Sequence, residues 1–396
     1  MDSKAKILIA TSTRADWGLL RPLAEALQSA DWCHLQIMAT NMHLLEAYGM
    51  TISEITDAGF AVDARVAMDA AGDDEASRVK AMAQCMAGTA EALSRLCPDA
   101  IVVLGDRYEM LAVASAAAVM RVPIVHIAGG EISEGAIDDS IRHAITKLSS
   151  LHLVATEPYR RRVIQMGEHP ARVVNTGAIG VWNVLNRPLL SRSELETDLG
   201  FSLDGPLAVV TYHPVTLDDA DPRTLCRRML EALDRHRQLR LIITYPNNDA
   251  RSEGIIAELQ SYAAARPGRV LLVKSLGMVR YLSVLQYACM VIGNSSSGIV
   301  EVPSMGIPTV DIGIRQRGRL AAPSVLHCAD TADDIAATIS RALTEPVRSM
   351  AAQRVNPYYK PDTPGIMVSA VHHFVSAMPR GKTFFDIDFD TSSPQI

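Results

Sequence analysis

One pattern constrains this chain more than any other: short apolar runs alternate with helical patterns along most of its length. Ile7–Ala10, Leu35–Ala39, Ala100–Leu104, Pro123–Ile127 and Leu151–Ala155 read as buried strands. Between them lie helical stretches: Leu19–Gln28 with Pro22 near its start, the Ala-rich Glu109–Met120, and Ile137–Ser149. In the last, Ile137, Ile141, Ile145 and Leu148 share one face at helical spacing. This rhythm predicts an α/β chain with a doubly wound, mostly parallel sheet.

The rhythm pauses from Gly177 to Pro206, a loop-like or weakly helical stretch that reads as the crossover into a second domain. It then resumes with strands at Leu207–Tyr212, Leu239–Thr244, Val270–Val273, Met290–Ile292 and Thr309–Ile312. Helices at Pro222–His236, Ser252–Ala264, Val279–Tyr287 and Ser297–Met305 alternate with them. A chain of 396 residues is too long for one ordinary core and comfortable for two. The expected division is 1–178 and 179–364, with 365–396 as a C-terminal helix and tail. The helix Gly365–Ala377 can pack back on the first domain, and Thr383–Ile396 reads as a loosely held acidic tail.

Composition narrows the function. A net charge of −6 argues against a nucleic-acid partner, while leaving room for a local anion site. The six cysteines form no CxxC pair and have no histidine cluster beside them, so a metal site is not expected. They read as reduced core cysteines. The apolar part of the N-terminus is too short for a signal peptide, and the apolar stretch Met110–Met120 is too short to span a bilayer. The expectation is a cytoplasmic protein with no membrane partner.

Open α/β sheets bind ligands at the carboxyl ends of their strands. After the first strand comes TSTRAD: Arg14 beside a hydroxyl cluster suits a phosphate, although Ser12 and Thr13 are also ordinary helix-capping residues. After the third comes Gly105-Asp106-Arg107, an acid and an anion partner, although Asp106 also suits a helix cap. After the fourth comes AGGEISEGAIDDSIRH, with Glu131 on a loop and Asp138 at a helix start. Asp138 and Arg142 are four residues apart, so a surface ion pair is an alternative there. Asp106, Glu131 and Asp138 nonetheless converge on one edge of one sheet, an arrangement suited to acid–base chemistry. In the second half, His213 ends a strand and Asn247 lies in a polar turn after the next. GNSSSGIVE lies between strand and helix, so Ser295 and Ser296 form an anion cradle with Glu301 a turn later, placed to accept from ribose hydroxyls. Arg315 adds a charge nearby. There is neither a Walker loop nor a GxGxxG.

These motifs together resemble the hydrolysing UDP-N-acetylglucosamine 2-epimerases of nonulosonic (sialic) acid synthesis. The matching stretches are TSTRADWG, LGDRYE, HIAGGEISEGAIDDSIRHAITKLS, YHPVT, YPNNDA, GNSSSGIVEVPSMGIP and DIGIRQRGR, spread from about Lys6 to Leu326. The resemblance implies a GT-B-type fold, two Rossmann-like domains with the ligand between them. It implies no cofactor and no metal, a UDP-amino sugar and water as reactants, and a homodimer or homotetramer. The implied reaction gives N-acetylmannosamine and UDP through elimination to a glycal, then water addition. Carried over, Asp106, Glu131, Asp138 and His213 are the catalytic candidates. Arg14, Arg107, Asn247, Ser295, Ser296, Glu301 and Arg315 are the substrate-binding candidates. One departure stands out: some relatives have Glu where this chain has Ala128. The alternative substrate is UDP-2,4-diacetamido-2,4,6-trideoxyglucose, on the way to legionaminic acid. Other classes consistent with the motifs are a non-hydrolysing epimerase, a GT-B glycosyltransferase and a catalytically silent nucleotide-sugar sensor.

Overall fold

The computed structural model describes residues 4–69, 74–134, 137–215, 220–246, 251–377 and 381–388. Two parallel sheets organise it. The first contains β1 (Ala5–Thr11), β2 (Cys33–Thr40), β3 (Ala64–Val66), β4 (Ala100–Leu104), β5 (Ile124–Ile127), β6 (Leu151–Val154) and β7 (Val173–Asn175), ordered β3-β2-β1-β4-β5-β6-β7. The second contains β8 (Leu207–Thr211), β9 (Arg240–Thr244), β10 (Val270–Val273), β11 (Met290–Gly293), β12 (Thr309–Ile312) and β13 (Val325–Cys328), ordered β10-β9-β8-β11-β12-β13. Helices cover both sheets, so the chain folds as two Rossmann-like lobes of the GT-B type. The strands are nearly all buried because both faces are covered, which is why they read as continuous apolar runs.

In each sheet the strand order reverses once, between β1 and β4 and between β8 and β11. Such switch points leave a crevice at the strands' carboxyl ends. Gly293 closes β11 at φ +139, where an added Cβ would collide with the Thr211 carbonyl oxygen of β8. Only glycine lets the two strand ends approach this closely.

Several local readings need correction. The first helix runs Arg14–Gln28, five residues earlier than expected, and holds Pro22 in its interior. A capping box of Thr13 and Asp16 starts it, a stronger signal than apolar periodicity. The pause after Gly177 contains two full helices, Ile179–Asn186 and Arg192–Leu199. The helix Ile137–Ser149 is Asp138–Leu148, and Ile137 is 55% exposed rather than on its buried face. The 22-residue helix Glu75–Leu96 escaped the reading because apolar side chains such as Val79 and Met86 lie on its outer surface and blur its periodicity.

The helix Thr363–Ala377 lies on the first lobe, where Met367, Val371 and Phe374 join a core with Ile7, Ile9, Trp17 and Leu20. Within the segment read as loosely held, Phe385 is held against the first lobe. Phe385 N–H donates to the Gly167 carbonyl at 2.9 Å and the Phe385 ring meets His169. The six cysteines are unpaired. No helix among the described residues is long and apolar enough to cross a membrane.

Candidate active site

Asp106 follows β4 at the first lobe's switch point. It does not cap the next helix: that cap is Arg107, with no side-chain cap bond. Asp106 instead accepts from the Arg142 guanidinium. Burial alone would raise the Asp106 pKa; Arg142 and Arg319 outweigh it and hold the carboxyl below the ordinary range. Arg142 is only 1% exposed, so the surface pair with Asp138 is not what forms. Its Nη1 donates to the Glu131 carbonyl and to Asp139 Oδ1, each at 3.0 Å, and its Nη2 donates to Ser133 Oγ at 3.0 Å. One buried guanidinium thus fixes the β4 end, the Glu131 loop and the start of the helix Asp138–Leu148 relative to one another.

Glu131 is buried and pairs across the cleft with Arg319, Oε2 to Nη1 at 2.5 Å. Arg319 also donates to Ser133 Oγ at 3.3 Å. Burial works against its charge, yet Glu131 and Asp106 raise its pKa. Asp138 faces Arg315 of the same opposing loop at 3.9 Å. Arg315 in turn donates to the Asn294 carbonyl at 3.2 Å, so one arginine links Asp138 of the first lobe to the second lobe's switch point. Tyr159 and Tyr358 hold this loop in place: their hydroxyls lie 2.7 Å apart and bond the Leu320 N–H and carbonyl.

On the second lobe, the buried Asn294 side chain pins the His213 loop. Its Oδ1 accepts from the His213 N–H at 2.7 Å, and its Nδ2 donates to the His213 carbonyl at 2.9 Å. Ser295 and Ser296 follow directly. The single helix expected over Ser297–Met305 is two four-residue turns, Ser297–Val300 and Val302–Met305, broken at Glu301 ahead of Pro303. The cradle therefore offers hydroxyls and local N–H groups but little aligned dipole. Tyr281 OH lies 2.8 Å from Ser297 Oγ. Burial pushes the Glu301 pKa up, opposed by a Ser297 hydrogen bond and by Arg319. An added Cβ at Gly180 would collide with Glu301 Oε1, so the missing side chain there makes room for this carboxylate.

The structure thus gathers Asp106, Glu131, Asp138 and Arg315 at one cleft, with His213, Ser295 and Ser296 on its facing edge around Asn294. Arg14 lies apart: its Nε meets Glu54 at 2.7 Å, and it borders Gly277 of the second lobe. Arg107 pairs with the fully buried Glu109, Nη2 to Oε1 at 2.9 Å. Asn247 lies outside the described residues. The sequence reading missed Arg142 and Arg319 as site residues. Both sit inside quoted motifs, but only their partners distinguish them from ordinary surface arginines. Ala128, just before the two glycines, adopts φ +66 in the left-handed region, where a side chain is strained. Among the described residues no cluster of metal-ligating side chains occurs.

Comparison with known proteins identifies the family and the fold. The family model for UDP-N-acetylglucosamine 2-epimerase matches residues 25–372. The chain is 40% identical to the GDP/UDP-N,N'-diacetylbacillosamine 2-epimerase (hydrolyzing) of Campylobacter jejuni, over 82% of this chain and 84% of that one. It is 34% identical to the polysialic acid biosynthesis protein P7 of Escherichia coli, over 98% and 99% of the two chains. Its fold matches the crystal structure of UDP-GlcNAc 2-epimerase from Neisseria meningitidis bound to UDP-GlcNAc, with TM-score 0.79 at 17% identity, over 93% of this chain and 100% of that one.

Proposed function

The chain belongs to the UDP-N-acetylglucosamine 2-epimerase family, and on that premise we propose that it is a hydrolysing enzyme that converts UDP-N-acetylglucosamine and water into N-acetylmannosamine and UDP. The observation that carries this reading is the cluster of first-lobe carboxylates met by arginines from the second lobe: Glu131 by Arg319 and Asp138 by Arg315, with Asp106 held ionised beside them.

The hydrogen on carbon 2 of the sugar is weakly acidic, so its removal needs a positioned carboxylate. Asp106 suits that task, because Arg142 and Arg319 keep it charged. Taking the proton while the carbon 1–oxygen bond breaks releases UDP and leaves a glycal. Charge builds on the departing diphosphate, and Arg107, Arg315 and Arg319 are the cations assigned to meet it. Water then adds at carbon 1, and a second carboxyl returns a proton to the opposite face of carbon 2. Glu131 and Asp138 are the candidates for that second role, Glu131 standing in for the carboxylate that some relatives have at the Ala128 position. His213, Ser295 and Ser296 receive the phosphates and Glu301 the ribose. In this reading Arg14 borders the nucleotide end of the cleft and Asn247 belongs to the same nucleotide site.

A second substrate is favoured by one observation. The relative with 40% identity is named for N,N'-diacetylbacillosamine, whereas the polysialic acid relative shares 34%. Incubating the protein with each UDP-sugar, and following UDP and free sugar, separates the two. A free 2-epimerised sugar carrying deuterium at carbon 2 from deuterated water is the expected product. A 2-epimer with UDP still attached, or UDP release only when an acceptor is added, would overturn the hydrolysing reaction.

A further inference from the structure

The helix Asp138–Leu148 has its working end in the cleft, where Asp138 meets Arg315 and Arg142 meets Asp106. Its other end is held by a side chain from the far C-terminus. Lys382 Nζ donates to the Lys147 carbonyl at 2.6 Å, the Ser149 carbonyl at 2.7 Å and the Thr146 carbonyl at 3.4 Å. It also meets Glu168 Oε1 at 2.8 Å. The last carbonyls of a helix lack donors within the helix. Here the residue after the helix, Ser149, is extended at φ −89 and ψ 154; its N–H serves the Thr146 carbonyl at 3.1 Å and its Oγ the Ile145 carbonyl at 2.7 Å, and neither reaches the Lys147 carbonyl. An ammonium group with three protons answers this need, and its charge favours the negative end of the helix.

The anchor beneath is built rather than incidental. Glu168 is buried, with its side chain 3% exposed, and also accepts from Lys147 Nζ at 2.6 Å and pairs with His152 Nε2 at 2.9 Å. The tail around Lys382 is held on both sides, by Arg172 donating to the Gly381 carbonyl at 3.3 Å and by Phe385 bonding to Gly167. A second strut leads back to the cleft. Thr146 Oγ1 bonds to the Arg142 carbonyl at 3.0 Å and lies 3.2 Å from His126 Nδ1. His126 Nε2 lies 2.8 Å from the Gly105 carbonyl, one residue before Asp106.

We propose that Lys382 is a positioning residue for the reaction: it sets the axial position of the helix Asp138–Leu148, and so where Asp138 and Arg142 stand relative to Asp106. The inference rests on the reading of Asp106 and Asp138 as proton-handling groups. A helix transmits a shift along its axis almost undiminished, at about 1.5 Å per residue of slip. A misplacement of about 1 Å at reacting groups costs up to about a hundredfold in rate.

The test uses the full chain with Lys382→Met and Lys382→Arg. Turnover is measured on whichever UDP-amino sugar the unaltered protein consumes, with UDP affinity and amide exchange across residues 138–149 measured alongside. Lys382→Met should lower kcat by about tenfold or more, leave UDP affinity within about twofold, and speed exchange along the whole helix. Lys382→Arg should recover most of the rate. The proposal is overturned if Lys382→Met keeps kcat within about twofold, or if faster exchange stays confined to residues 146–149 while the Asp138–Arg142 turn is as protected as before. It is also overturned if kcat, UDP affinity and the folded signal fall together without recovery in Lys382→Arg. If the unaltered protein consumes neither UDP-sugar, the functional reading fails by itself, and the exchange measurement still decides whether Lys382 holds the helix.

Discussion

The two lobes share one plan and differ in what they present at the same place. At its switch point the first lobe presents carboxylates: Asp106 after β4, with Glu131 and Asp138 beside it. At the equivalent point the second lobe presents hydrogen-bonding groups instead, His213 and Ser295 around the buried Asn294. The counter-charges are divided. Asp106 has a cation from its own lobe, Arg142, while Glu131 and Asp138 are met by Arg319 and Arg315 of the other. One fold therefore supports two kinds of chemistry, set by the residues that follow the strands. It also follows that the carboxylates meet all their counter-charges only when the lobes are together.

The sharpest way to break this division is Asp106→Asn, which should lower turnover by about 10²- to 10⁴-fold and leave UDP affinity nearly unchanged. Parallel loss of UDP binding, measured by calorimetry, would mean that the lobes do not divide the work. Arg142→Met strands several buried partners at once, and removing one member of a buried ion pair costs about 3–5 kcal/mol. Chemical denaturation should show this as first-lobe destabilisation, with the second lobe's transition unmoved. Arg319→Met removes the cross-cleft partner of Glu131. Truncating a buried charge pair between surfaces costs about 2–5 kcal/mol, here expected in the closed arrangement. Small-angle scattering should then show less compaction on adding UDP, with Arg319→Lys intermediate. Ser296→Ala should weaken UDP by about 1 kcal/mol, roughly fivefold, with kcat almost constant.

One further effect is on pH. Burial would raise the Glu168 pKa, but His152, Lys147 and Lys382 bring it down to about 2, from an ordinary 4.5. A depressed folded-state pKa adds stability that is fully present above the ordinary value and lost as pH falls from 4.5 towards 2. Acid unfolding should therefore begin in the first lobe, and Glu168→Gln should flatten that limb of its stability profile. An unchanged profile would show that the Glu168 cluster contributes nothing.

The alternation of runs was enough to read the fold class, because strands covered on both faces must be apolar along their length. The rule that ligands meet strand ends places Asp106, Glu131 and Asp138 together from sequence alone, since all three succeed neighbouring strands. The reading left out the short strands β3, β7 and β13, the helix Glu75–Leu96 with its apolar outer surface, and the helices Glu157–Gln165, Ala332–Ala342 and Glu345–Ala352, the second of these amphipathic with Ile335 and Ile339 buried. The break at Glu301 was also hidden, because a helix-like pattern spans both turns.

What the sequence determined by itself, then, is local and periodic: which stretches form strands and helices, and which polar residues stand at their ends. What tertiary structure alone decided is pairing. Arg142 finds Asp106 across 36 residues, and Arg319 finds Ser133 across 186. Lys382 closes a helix more than two hundred residues earlier in the chain. A charged side chain carries no mark of its partner, because Coulomb attraction depends on distance and burial in the folded state rather than on spacing along the chain. For that reason an arginine that reads as a surface ion pair with Asp138 is instead the buried hub of the carboxylate cluster.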